Sequence, residues 1–196
     1  MRIKKGLLVL IGVALPLASV TMLEGTAVAG KVTGTGLTTC SFGGSINFNP
    51  PLSQDGTAGA KKEITTVTAT LGTCSGGSPV ASATSVAVKP IKTKAPKGGN
   101  AGTCSSFESN SSTATVKVKV NWNGEKPSKF SVHGLSPSVN GAGEVGFTGS
   151  YTVAGSYAGT GHIGVYLTPA SSEAIGTCSG SISSLQIDRS NSSGSI

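Results

Sequence analysis

Apolar and polar residues alternate along this chain with a period of two, and no stretch carries the three-to-four spacing of an amphipathic helix. Val116, Val118, Val120 and Trp122 share one face, opposite Thr115, Lys117, Lys119 and Asn121. Val67, Ala69 and Leu71 oppose Thr66, Thr68 and Thr70 in the same way. Val145, Phe147, Tyr151, Val153 and Tyr157 all fall on one side of a third run, where Gly149 and Gly155 mark bulges or close backbone approaches. Shorter pairs extend the pattern: Ile46 with Phe48, Val86 with Val88, Phe130 with Val132, Ile163 with Val165, and Leu185 with Ile187. Strands with one buried and one wet face, joined by Gly, Pro, Ser and Asn turns, predict an all-β antiparallel sandwich or barrel-like domain of about nine strands.

Four cysteines, Cys40, Cys74, Cys104 and Cys178, add a covalent constraint. An even count in an oxidising compartment predicts two disulfides, and the sequential pairs Cys40–Cys74 and Cys104–Cys178 are preferred because each then staples one half of the domain. All four sit in a (Gly)-Thr-Cys-Ser phrase, such as Gly102-Thr103-Cys104-Ser105, which suits a β-favouring Thr beside a turn at a strand end. No Cys-x-x-Cys pair occurs and neither histidine neighbours a cysteine, so the pattern points to no metal.

The oxidising compartment is itself an expectation from the N-terminus. Arg2, Lys4 and Lys5 precede an apolar run from Leu7 to Val20, and Ala27-Val28-Ala29 supplies small residues at a cleavage site. Residues 1–29 therefore read as a secretory signal peptide, the apolar run being shorter than the ~20 residues a membrane-spanning helix needs. No later segment is apolar enough to span a bilayer. Residues 30–188 are expected to form a single domain, with an exposed Lys-, Pro- and Gly-rich loop at 89–102 and a flexible Ser- and Gly-rich tail at 189–196.

Several classes of chemistry find little support. The chain has two histidines, His133 and His162, neither placed beside an acid, and Gly-x-Ser-x-Gly is absent. The carboxylates are scattered singly across turns rather than paired as a glycosidase requires. No phosphate loop or βαβ pattern offers a nucleotide site, and no cofactor is implied. One Trp, three Tyr and five Phe leave few aromatics for sugar recognition. A hydrolase whose site is assembled from distant residues, and a disulfide-pinned enzyme inhibitor, stand as alternatives.

The polar cluster that rises above this background is basic. Removing Arg2, Lys4, Lys5 and Glu24 from the 15 basic and 8 acidic residues leaves 12 and 7, a net charge near +5. Lys89, Lys92, Lys94 and Lys97 fall in one stretch, Lys61 and Lys62 in a turn, and Lys117 and Lys119 on one strand face. A solubilising surface, or lysines guarding strand edges, explains such residues without any partner. A partner, if there is one, would be an anionic wall polymer or glycan, so the expected location is outside the cell or at its wall. Nucleic acid is a poorer partner because Arg189 is the only arginine after the leader, and base readout favours arginine.

A string of phrases carries a resemblance. Cys40 is followed by Phe48-Asn49-Pro50-Pro51-Leu52, then by a Thr-rich strand into Cys74. Cys104 precedes a Val-rich strand ending in Trp122, Gly155-Ser156-Tyr157-Ala158-Gly159 follows, and Cys178 stands before Leu185-Gln186-Ile187. In this order the chain resembles the uncharacterised secreted β-proteins of actinomycete-type bacteria. The resemblance implies export and a β fold, and with no established activity in that family it carries no catalytic residue over. The expectation for this chain is a secreted or wall-associated non-enzymatic protein.

Overall fold

The computed structural model describes residues 39–75, 82–110 and 115–195; the expected leader at 1–29 lies outside them. The described elements run β1 Thr39–Leu52, β2 Lys62–Ser75, β3 Ala83–Val88, β4 Ile91–Lys94, α1 Cys104–Asn110, β5 Val116–Trp122, β6 Ser128–Val139, β7 Val145–Ala154, β8 Gly159–Tyr166, α2 Pro169–Thr177, β9 Ile182–Ile187 and β10 Ser193–Ser195. All ladders are antiparallel, and they form one curled sheet in the order β3-β5-β6-β7-β8-β10-β1-β2-β4. β9 pairs with β1 beyond the stretch that β10 occupies. Only Lys89 and Pro90 separate β3 from β4, the two ends of that order, and β3 also packs against β2. The ends of the sheet therefore approach each other, giving the barrel-like form of the expected architecture.

Alternation sets which side chains face inward. In β5, Val116, Val120 and Trp122 are buried while Lys117 and Lys119 are exposed. In β7, Phe147, Tyr151 and Val153 are buried, but Tyr157 lies past the strand in a turn at φ 60° and stacks edge-on against Trp122 at 5.1 Å. Trp122 is an interior anchor whose Nε1 donates to Ser128 Oγ at 2.8 Å. Gly149 marks a close backbone approach: a Cβ there would lie 2.9 Å from the His133 carbonyl oxygen, beside the register break of β6.

The interior divides into two apolar clusters. The larger gathers Ile46, Phe48, Leu52, Leu167, Ile175, Ile182, Leu185 and Ile187. The smaller holds Val116, Val132, Tyr151 and Val153. Both short helices serve the larger one. Phe107 of α1 meets Phe48 and Phe147 edge-to-face at 5.1 and 5.2 Å, and Ile175 of α2 is buried. In α2, Ser172 Oγ accepts the Val145 N–H at 3.0 Å and Ser171 Oγ accepts that of Gln186 at 2.8 Å. These bonds fix the helix against β7 and β9.

The disulfides are Cys40–Cys74 and Cys104–Cys178, with Cα separations of 4.0 and 6.2 Å. Their shared phrase does not encode one local structure. Cys40 and Cys74 face each other across β1 and β2, as a strand-end reading requires. Cys104 instead opens α1, where Thr103 Oγ1 accepts the Ser106 N–H at 3.1 Å, and Cys178 closes α2 in the left-handed region at φ 46°. The second bridge thus ties together two helices too short to persist alone.

Two expectations about irregular segments are corrected. The stretch 89–102 is not wholly a loop, because Ile91–Lys94 forms β4, pairing Lys94 with Lys62 and Lys92 with Ile64. Pro90 precedes the strand rather than interrupting it, so no ladder donor is lost. Residues 189–195 of the tail are not frayed either. Ser193 pairs with Ser41 on one side and Gly164 on the other, placing β10 inside the sheet. Ser192 is 1 % exposed, and its Oγ accepts the Tyr166 N–H at 2.9 Å and donates to the Tyr166 carbonyl at 3.2 Å. Asn191 donates to Glu144 at 2.6 Å and Arg189 to Thr70 Oγ1 at 2.6 Å. Small hydroxyl side chains, which lack an apolar signature, here satisfy backbone groups between two strands.

Candidate functional site

The curled sheet bounds a half-open cavity of about 240 Å³ lined almost wholly by apolar atoms. Its origin is a mismatch between strand number and side-chain size. An eight-stranded barrel is just wide enough for side chains to fill. Here more strands curl round, and the inward positions of β2, β3 and β5 are mainly Val, Thr and Ala. Val67, Ala69, Val86, Val118 and Val120 are among the short side chains that face the space.

Hydroxyl side chains of Thr65, Thr70, Thr93 and Ser106 fall among the lining residues, and the two ionisable ones are Glu63 and Tyr151. Glu63 extends the inward face of β2 that continues through Thr65, Val67, Ala69 and Leu71, and it is 2 % exposed. Thr65 Oγ1 donates a short hydrogen bond to its Oε1, and Thr93 stands opposite on β4. Burial pushes the Glu63 carboxyl above the ordinary carboxylate range, and the Thr65 bond offsets part of that rise. Tyr151, 4 % exposed, comes from β7, and its hydroxyl has no hydrogen-bond partner among the described residues. Its ionisation is pushed up to about 12 by burial. The hydroxyl lies above Gly161, its cross-strand partner on β8, where any Cβ would collide with it. None of the lining residues is Lys, Arg or His.

The basic residues form a second feature, on the outside. Lys92 and Lys94 project from β4, Lys97 lies in the turn after it, and Lys89 caps β3, its N–H donating to the Lys117 carbonyl at 2.8 Å. The four do not share one loop. The structure instead joins Lys89 to Lys117, Lys119 and Lys129, which line a shallow depression with Ala87, Ser131 and Thr152. Lys119 stands directly across from Lys129, and Lys62 directly across from Lys94. Lys117 Nζ donates to Ser131 Oγ at 2.7 Å. All of these lysines are exposed, and none has an ion-pair partner among the described residues.

Both histidines sit on the same outer surface, in one row across three strands with Ser150 between them. His133 Nδ1 lies 3.2 Å from Thr115 Oγ1. Among the described residues no cluster of His, Cys, Asp and Glu could hold a metal, and no helix is long and apolar enough to cross a membrane.

Sequence reasoning found the lysines but not their grouping, and it passed over Glu63. The signal was present: Glu63 shares the odd-numbered parity of Val67, Ala69 and Leu71, which places a carboxyl on an inward face. Comparison with known proteins finds no matching family, no matching curated protein and no matching solved structure.

Proposed function

We propose that this chain is a non-enzymatic binding protein of the cell exterior whose basic wall holds it to an anionic envelope polymer. The observation that carries the reading is the pairing of like charges across the sheet. Lysines directly opposite each other destabilise a ladder, yet Lys119 faces Lys129 and Lys62 faces Lys94 with no acid between them. Guarding a sheet edge accounts for Lys92 and Lys94 on the edge strand β4. It does not account for Lys117, Lys119 and Lys129, which lie on interior strands of the order. A polymer with repeating phosphodiester or carboxylate groups would meet those ammonium groups and relieve their repulsion. The leader at 1–29 and two disulfides fit a protein that works outside the cytoplasm.

Retention on an immobilised phosphodiester wall polymer tests this. The wild-type chain should bind at low salt and elute by 1 M salt, as the screening length falls from ~10 Å to ~3 Å. The triple change Lys117→Gln, Lys119→Gln and Lys129→Gln should abolish retention without lowering the melting temperature. Changing Lys92 and Lys94 to Gln should reduce it less. Equal retention of the triple variant, or equal retention on a neutral glucan, would overturn the reading.

A further inference from the structure

We propose that the interior cavity binds one small, uncharged, mainly apolar molecule that carries a hydroxyl or carbonyl group. This site is separate from the lysine wall and does not rest on its role. At about 240 Å³ the space exceeds the roughly 150 Å³ of an apolar cavity that already admits benzene. An empty volume of this size forfeits contacts along its whole lining, a loss that an occupant restores.

Polar groups define what the occupant must offer. The Tyr151 hydroxyl is buried without a partner among the described residues, which a phenylalanine would avoid at no loss of packing. A buried hydroxyl without a partner loses its hydration uncompensated, and a ligand oxygen beside it would restore the bond. The room for this hydroxyl comes from Gly161, the one residue type that leaves the position above its Cα open. On β2, Glu63 with Thr65, and Thr93 opposite on β4, gives a second polar point in a lining that is mainly apolar.

Charge selects among amphiphiles. A carboxylate head would lose its hydration beside Glu63 and find no Lys, Arg or His among the lining residues. A carbonyl can accept from the Tyr151 hydroxyl, a hydroxyl can also donate to Glu63, and neither carries such a penalty. An ammonium head would exchange its water shell for the Glu63 carboxyl alone, whose Oε1 already accepts from Thr65.

The test uses the full mature chain with three probes of one length: octan-1-ol, octanoate and octylammonium, read by calorimetry at pH 7.5. Octan-1-ol should bind one to one and raise the melting temperature. The two charged probes should bind at least tenfold more weakly. Ala69→Leu and Val118→Phe, both of which fill the space, should abolish alcohol binding while the chain stays folded. Tyr151→Phe should weaken octan-1-ol severalfold and leave binding of nonane unchanged. Absence of alcohol binding, equal affinity for octanoate or octylammonium, or undiminished binding by the folded Ala69→Leu chain would each overturn the proposal. Should Val118→Phe fail to fold, Ala69→Leu decides alone.

Discussion

The two ends of the curled interior use the same strand alternation and reach different densities. Around β1 and β9, inward positions are Leu, Ile and Phe, two helices add Phe107 and Ile175, and the Cys104–Cys178 bridge locks those helices. Around β5 to β8 a smaller cluster gathers Val116, Val132 and Val153 with Tyr151, and neither helix contributes a residue to it. Parity therefore decides which side chains point inward, while side-chain volume decides whether the interior closes. The first end is a packed core and the second is one wall of a cavity.

The contrast can be broken at the bridge. Replacing Cys104 and Cys178 together by Ala should cost about 4 kcal/mol, since the loop they close is long, and should release both helices. Chemical denaturation, with the loss of helical circular dichroism read alongside, measures both effects. A loss below 1 kcal/mol would mean that the helices hold by packing alone.

Truncating single side chains sharpens it. Leu185 is fully buried, and Leu185→Ala should cost about 3–4 kcal/mol. Val118→Ala, at a position that already faces open space, should cost about 1 kcal/mol. Equal costs would show that the two ends are packed alike in solution.

Filling reverses the sign. Ala69→Leu should stabilise the chain by about 1 kcal/mol by occupying the cavity. Ala101→Leu, at a position 3 % exposed, should destabilise by about 1–3 kcal/mol through overpacking. Thermal melts of the two variants give the comparison directly.

The smallest effect is a pH dependence. The folded state holds the Glu63 proton more tightly than the unfolded state, whose carboxyl titrates near 4.5. Stability from this group is thus fully present below pH 4.5 and falls as pH rises through the higher folded value. Glu63→Gln should melt higher than wild type at pH 8, and the gap should close toward pH 4. A gap that stays constant with pH would place the Glu63 carboxyl in water.

Sequence reading reached most of this architecture because its signals are local. Val116–Trp122 and Val145–Val153 announce strands by their own alternation, and the cysteines pair as the two-half arrangement suggested. What it missed depends on neighbours distant in the chain. Ser193–Ser195 has no β-favouring residue and is a strand only because β1 and β8 flank it. The α2 helix begins at Thr168-Pro169, a start signal that the reading by periodicity did not use. The cavity follows from how far the sheet curls, which no single strand encodes.

The insertion of β10 beside β1 bears on when the chain can fold during its synthesis. β1 is the first described strand made, yet one of its edges is completed only by β9 and β10, which emerge after all the others. Contacts of such sequence span make folding slow, because the loop they close must form before any of its strands is sealed. A chain threaded through a membrane N-terminus first would therefore stay open, and open to chaperones, until its last strand had crossed. The Cys40–Cys74 bridge lies at the strand end that this late insertion of β10 completes.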